Sequence, residues 1–219
     1  MTKLLCLVAL IMAVGLAVPA FAGDIVAMPT GNMMAKGAAE FNYIYWDLDT
    51  PPGPAPNFAH IGEFFYGVTD RLELDVLGVD VQNDDDYMEG NLYYALVKEK
   101  PGKPSLIVGA TNITGSKWLG DDRVSPFYLS ACNIHIPQGK PTFNDPLVRI
   151  HVAWGDNYHG DAFFGGFQFQ FTPSFGAAAF NYNHNPSYVG VYRAGRDLEL
   201  RGGWKSGSPF YSFGYDTSF

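Results

Sequence analysis

Few side chains in this sequence are spaced for catalysis. Ser130, Asn133 and His135 lie close together, and they are the residue types of a hydrolase in which histidine activates serine and a third polar group orients the pair. On an extended strand, Ser130 and Asn133 are three apart and point to opposite faces. The five histidines, at 60, 135, 151, 159 and 184, show no metal-ligand spacing, so His135 and His151 read as hydrogen-bonding partners and no metal site is expected. Asp84, Asp85 and Asp86, with Asp80 and Asn83 nearby, could offer oxygens to Ca²⁺, but no glycine-spaced calcium loop surrounds them and they read as a solvated loop. Cys132 reads as a small apolar residue facing lipid or its neighbours. The expectation is a protein without cofactor that is not an enzyme, with a hydrolase kept as an alternative.

The remaining polar groups follow a period of two. Glu73 and Asp75 oppose Leu72, Leu74 and Val76; Arg149 and His151 oppose Val148, Ile150, Val152 and Trp154. Gln168 and Gln170 oppose Phe163, Phe167, Phe169 and Phe171, and Glu199 and Arg201 oppose Leu198, Leu200 and Trp204. Such alternation marks strands with one apolar and one polar face. Glu63, Asn133, His135, Asn181, Asn183 and Arg193 complete the predicted polar set. On the inside of a barrel these groups, carrying both signs, would either pair into a plug-like network or line a narrow path for a polar solute.

The elements that carry this pattern are short. Charged residues make up 16% of the 219, aromatics another 16%, and 25 glycines and 15 prolines are spread through the chain, a mixture suited to many strands and turns. Twelve strands are expected, near 38–48, 59–68, 72–80, 90–98, 105–113, 127–136, 147–155, 162–171, 175–183, 188–194, 198–204 and 210–219, with ten and fourteen as alternatives. Their connections tend to alternate between longer loops and tight turns such as Thr69-Asp70-Arg71, Thr172-Pro173-Ser174 and Gly195-Arg196-Asp197, the rhythm of an up-and-down membrane barrel. The ten residues from Pro137 to Pro146 break the rhythm and leave room for a missed strand. The net charge of −8, with no basic stripe, argues against a nucleic-acid partner.

Both ends of the chain point to export. Lys3, the apolar run Leu4 to Leu16 and the small-x-small triplet Ala20-Phe21-Ala22 form a cleavable secretory signal over residues 1–22, leaving 23–219 as one domain. The run is too short to span a bilayer as a helix, and only a closed barrel could cross one otherwise. At the other end, Tyr211, Phe213, Tyr215 and Phe219 share one face, opposite Ser212, Gly214, Asp216 and Ser218. This resembles the terminal signal by which barrel-assembly machinery recognises bacterial outer-membrane barrels for insertion. Tyr43, Tyr45, Trp46, Trp118, Trp154 and Trp204, near strand ends, fit aromatic girdles at the lipid headgroups.

The second half carries a further likeness. Residues Phe164-Gly165-Gly166-Phe167-Gln168-Phe169-Gln170-Phe171-Thr172-Pro173, then Phe180-Asn181-Tyr182-Asn183 and Val189-Gly190-Val191-Tyr192-Arg193, resemble the YjbH-like outer-membrane barrels linked to exopolysaccharide secretion. The resemblance implies a non-enzymatic barrel in a bacterial outer membrane, in contact with its lipid, serving as a narrow channel or structural envelope protein and handling a polar solute or polysaccharide. That family tends to place inward acidic residues in the strands flanking the Thr-Pro turn, where this chain has Gln168, Asn181 and Asn183; the charge is gone and the hydrogen-bonding capacity kept. A soluble secreted β-barrel binding a small ligand is the other alternative.

Overall fold

The computed structural model describes residues 33–48, 58–82, 86–98, 103–115, 127–136, 147–155, 162–172, 174–182, 185–194, 197–205 and 207–218; for 127–136, 147, 162, 182, 185, 217 and 218 it describes the backbone only. Twelve strands follow one another: β1 (Ala38–Asp47), β2 (Phe58–Thr69), β3 (Leu72–Val81), β4 (Tyr87–Val97), β5 (Ser105–Thr111), β6 (Phe127–Ile136), β7 (Leu147–Gly155), β8 (Ala162–Gln170), β9 (Phe175–Tyr182), β10 (Asn185–Ala194), β11 (Leu198–Lys205) and β12 (Ser208–Ser218). Each pairs antiparallel with the next, and β1 pairs with β12 from Ala38↔Ser218 to Trp46↔Phe210, so the sheet closes on itself. Among the described residues no helix is long and apolar enough to cross a membrane.

Local chemistry sets the turns. The Thr69 hydroxyl accepts the N–H groups of Arg71 (3.1 Å) and Leu72 (3.0 Å) between β2 and β3. Thr172 repeats the device between β8 and β9, accepting from Ser174 (3.3 Å) and Phe175 (3.0 Å). A hydroxyl that takes up N–H groups just ahead of it fixes a tight reversal. Gly207, at φ +87°, supplies the left-handed residue that the short β11–β12 connection needs. These threonine turns and the start of β1 lie at one end of the barrel, the turn end. At the opposite end, the loop end, β9 and β10 are separated by only two residues and so are β11 and β12, so long connections and tight turns alternate less regularly than the sequence suggests. β6 pairs directly with β7; residues 137–146, where the sequence leaves room for a missed strand, lie outside the described residues, as do residues 1–22, read above as a signal, Trp118, Asn183 and Phe219.

Side chains alternate between the two faces of the wall. Outward stand aromatic and aliphatic groups, among them Phe163 (78% exposed), Tyr211, Met88, Tyr188 and Trp204. Inward, toward the loop end, Ile44, Ile61, Val79, Val81, Phe164, Phe180, Val189 and Phe210 belong to one buried apolar cluster. Two expectations change here. Asn181 is outward and exposed, because Ala178 and Phe180 take the inner face of β9 and the pleat reverses at each residue. Trp46 is no girdle residue: adjacent side chains cannot share a face, so while Tyr45 lies outward beside Phe58 (6.0 Å), Trp46 packs inward on the apolar cluster beneath the Lys205 ammonium, 4.6 Å from its ring.

Ring closure predicts a cross-link. In a Cys132→Ala background, Tyr45→Cys with Tyr211→Cys, register partners on β1 and β12, should form a disulfide under mild oxidation, detected as a shift in denaturing gel mobility that reductant reverses. An open sheet would leave both thiols free to alkylate.

Candidate functional site

The inner wall divides into two tiers. Toward the loop end it is mostly the apolar cluster; toward the turn end it is polar. Glu40 and Asn42 of β1, Glu63 of β2, Glu73 and Asp75 of β3, Arg149 and His151 of β7, Gln168 and Gln170 of β8, Arg193 of β10, Glu199 and Arg201 of β11, and Ser212 and Asp216 of β12 are all buried or half-buried there. β4 and β5 depart from this division, with Tyr93, Ala95 and Ile107 low on the wall and Glu89 and Asn91 above. His135 pairs in backbone register with Arg149, and Asn133 with His151; their side chains lie outside the described residues. Ser130 pairs with Val108 and Trp154, strand positions opposite in parity to Asn133 and His135.

An ionic chain ties the turn-end tier together. Gln170 Oε1 accepts from Arg193 (2.6 Å), and the Arg193 Nε donates to Glu199 (2.8 Å). Glu199 also accepts from Arg201, whose second nitrogen reaches Glu40 at 3.2 Å. Five side chains from β8, β10, β11 and β1 thus connect across the wall, passing β12 where it carries no side chain. That gap is Gly214: a Cβ there would collide with Asn42 Oδ1 and come within 3.6 Å of Arg201 and of Glu40. Arg201 and Glu40 are 8% and 4% exposed, so neither could be left charged and unpaired at modest cost.

On β1 to β3 the acids instead meet amides and backbone. Asn42 Nδ2 donates to Glu63 (3.2 Å) and Asn91 Nδ2 to Asp75 (2.7 Å). Glu73 accepts the backbone N–H of Met34 at 2.5 Å. Residues 33–37, ahead of β1, therefore form a strap over the inner face at the turn end. Gly37, at φ +79°, donates to the Gly67 carbonyl (2.8 Å), and Met34, 1% exposed, packs with Ala38 and Phe65. Met33 reaches the apolar cluster. Gly67 faces the strap so closely that any Cβ would run into the Ala35 carbonyl. Several buried polar atoms have no hydrogen-bond partner: Asn42 Oδ1, Ser212 Oγ and Asp216 Oδ1 on neighbouring strands, and Gln168 Oε1 with both ring nitrogens of His151 on another part of the wall.

The strap, Glu40, Asn42, Glu89, Asn91 and Asp216 were not among the residues expected from sequence. The alternation of Glu40 and Asn42 with Phe41, Tyr43 and Tyr45 was a readable signal for two of them. Among the described residues no group of histidine, cysteine, aspartate and glutamate is arranged to hold a metal ion.

No known protein family and no curated protein matches the chain. Among solved structures, the N-terminal β-barrel domain of Pseudomonas aeruginosa OprF aligns with 85% of this chain and 100% of its own, at 14% identity and a TM-score of 0.28, a superposition too loose to bear on function.

The ionic chain predicts unequal effects of losing its two arginines. Arg201→Met removes the arginine from Glu40 and leaves Glu199 only its bond from Arg193, and should lower the unfolding free energy by about 3–5 kcal/mol. Arg193→Met, which leaves Glu199 its bond from Arg201, should cost clearly less. Urea unfolding followed by tryptophan fluorescence gives both values.

Proposed function

We propose that the chain is a bacterial outer-membrane β-barrel whose interior is packed rather than open, a non-enzymatic structural component of the envelope. The observation that carries this reading is the outer surface. Among described outward-facing strand residues the only acidic, basic or amide side chains are Asp47, His60, Asp80 and Asn181, and each lies within three residues of the loop end of its strand. The belt beneath them is Leu, Val, Ile, Phe, Tyr, Trp, Met, Ala and Gly, while the acids and arginines of the same strands face inward. A soluble barrel inverts that arrangement; lipid outside demands it. The strands, of seven to twelve residues, suit a tilted crossing of the hydrocarbon layer.

The edge of this belt is built as an interface. The Tyr43 hydroxyl and His60 Nδ1 share a hydrogen bond (2.5 Å), and the rings of Tyr43, Tyr45, Phe58 and His60 pack with centroids 5.2–6.0 Å apart. Aromatic groups with a polar tip suit the boundary between chains and headgroups. The apolar tier across the interior supports a wall protein over a conduit, so a part in polysaccharide export, as the resemblance implies, is that of an accessory and not of the pore itself. Its assembly partners are the lipid and the barrel-assembly machinery.

Three measurements test this. The mature protein should fractionate with the outer membrane and migrate differently boiled and unboiled; a chain that stays in solution without detergent overturns the reading. The folded protein in planar bilayers should carry no steady current, and a lasting open conductance would restore the channel. Leu92→Arg, in the middle of the belt, should destabilise the inserted barrel by about 2–4 kcal/mol, whereas Asp80→Arg near the rim should change it by about 1 kcal/mol or less.

A further inference from the structure

The charges outside the inner wall are unevenly shared between the two ends of the barrel. Among the described residues, the turn end carries Lys36, Arg71, Lys98 and Lys103 against Asp70 and Asp197. The loop end carries Asp47, Asp80 and Asp86, and the lysine described there, Lys205, is turned inward over Trp46. A chain of net charge −8 thus gathers the exposed cations of its described part at one rim. In a bilayer the two rims lie in the headgroup layers of opposite leaflets, so each meets its own lipid chemistry.

Three of the turn-end cations stand beside exposed apolar wall. Arg71, in the β2–β3 turn, is fixed at the end of β4. Its backbone carbonyl accepts the Ala95 N–H (2.8 Å), and its Nη1 donates to the carbonyls of Ala95 and Leu96, both at 3.1 Å. Both side-chain bonds use Nη1, which leaves the Nε–Nη2 edge, a parallel pair of donors that suits a phosphate. Lys98 follows β4 directly, its ammonium 4.0 Å from the Asp70 carboxylate, with both side chains exposed. A pair so exposed is worth little and is readily exchanged. Lys103 stands exposed two residues before β5. At the same end of the wall, Val68 of β2 and Tyr94, Leu96 and Val97 of β4 are 39–48% exposed, the margin of the apolar belt. Cations held at the edge of a greasy surface complement an anion that carries hydrocarbon.

We propose that Arg71, Lys98 and Lys103, with the apolar side chains beside them, bind an anionic phospholipid of the leaflet at the turn end, phosphatidylglycerol being the simplest. The Arg71 edge and the Lys98 ammonium hold its phosphate, Lys103 adds to the attraction, and the acyl chains lie over Leu96 and Tyr94. Asp70 opposes the phosphate and competes with it for Lys98. The site is a patch of the outer wall, so the headgroup keeps its contact with water while the chains are covered. It rests on the membrane reading above and goes beyond it in choosing the lipid and the leaflet.

The test is native mass spectrometry of the folded mature protein in neutral detergent, titrated with phosphatidylglycerol or phosphatidylcholine. Boiled and unboiled migration confirms the fold of each variant. The unaltered protein should bind phosphatidylglycerol about tenfold more tightly than phosphatidylcholine. Lys98→Gln with Lys103→Gln should weaken phosphatidylglycerol by about tenfold or more, since each cation near a lipid surface contributes about fivefold. Arg71→Lys, which keeps the charge and gives up the fork, should weaken it by about threefold, and Asp70→Asn should tighten it by about threefold. None of these should move phosphatidylcholine. Lys205→Gln removes a positive charge at the other end and should leave both lipids unchanged. Equal binding of the two lipids, an unchanged constant in the double lysine variant, or an equal loss in Lys205→Gln overturns the site. Unchanged binding in Arg71→Lys overturns the fork, and unchanged or weaker binding in Asp70→Asn overturns the part given to Lys98. Displacement of the lipid by an equal concentration of glycerophosphoglycerol, the headgroup without its chains, or of polyglutamate overturns a lipid as the occupant. Should the protein never give a heat-modifiable band in detergent, the membrane reading has failed before any lipid is added, and the two failures stay distinct.

Discussion

Everything in this molecule depends on the ladder between its first and last strands. In the membrane setting proposed above, an open sheet has no water to take up the N–H and C=O groups of its edges, and each group left bare costs several kcal/mol. Twelve strands in sequence order leave two edges, those of β1 and β12, and their pairing removes both. Once the sheet is closed its two faces can no longer exchange surroundings. One face belongs wholly to the outside, the other wholly to the interior, and the period-two alternation decides which side chains each receives.

The interior then has to satisfy whatever polar groups that alternation sends inward. Near the loop end it sends mostly aliphatic and aromatic groups, which bury one another. Near the turn end it sends acids, arginines and amides, and the solution is a chain of charge-assisted hydrogen bonds in which Glu199 serves two arginines and Arg201 serves two acids. Such an arrangement gains less from any single pair than it would lose by breaking one, since the survivor would be a buried charge. Gly214 belongs to the same solution. By leaving a gap in β12 it lets β11 and β1 bond across an intervening strand, so a residue with no side chain determines which side chains meet.

How much of this was legible depended on how well each strand kept its alternation visible. In the turn-end halves of β3, β7 and β11 the polar and apolar positions are unmixed, so Glu73, Asp75, Arg149, His151, Glu199 and Arg201 could be placed inward from the sequence alone. In β9 both faces hold small residues, Gly176 to Ala179, and the parity rested on Asn181 and Asn183; the buried ring of Phe180 outweighed them, since a phenylalanine gains more from the packed interior than an asparagine at the rim loses outside. In β10 the inward positions are Ser187, Val189, Val191 and Arg193, half of them apolar, because the interior has an apolar tier as well as a polar one. No periodicity reveals such a tier when both faces of the strand are greasy. The strap was invisible for another reason: residues 33–37 have no period at all, and their placement follows from a backbone N–H, a bare glycine and one methionine.

The strap also bears on how closure is reached. The β1–β12 ladder joins residues separated by nearly the whole chain, and pairings that distant must offset the largest loop-closure entropy before they return any stability. The contacts of the strap are far more local. Met34 reaches Glu73 across 39 positions, and Gly37 meets Gly67 across fewer, so β1, β2 and β3 can assemble as a unit with their inner acids covered by their own chain. In that unit β1 already holds its final register against β2 and presents one unpaired edge. The last strand then has a preformed template to pair with, and its aromatic residues Tyr211, Phe213 and Tyr215 add their outward face to the belt as it does so. Gly67, bare of a side chain, lets the strap lie flat against β2 within this local unit, where the Met34 N–H reaches Glu73.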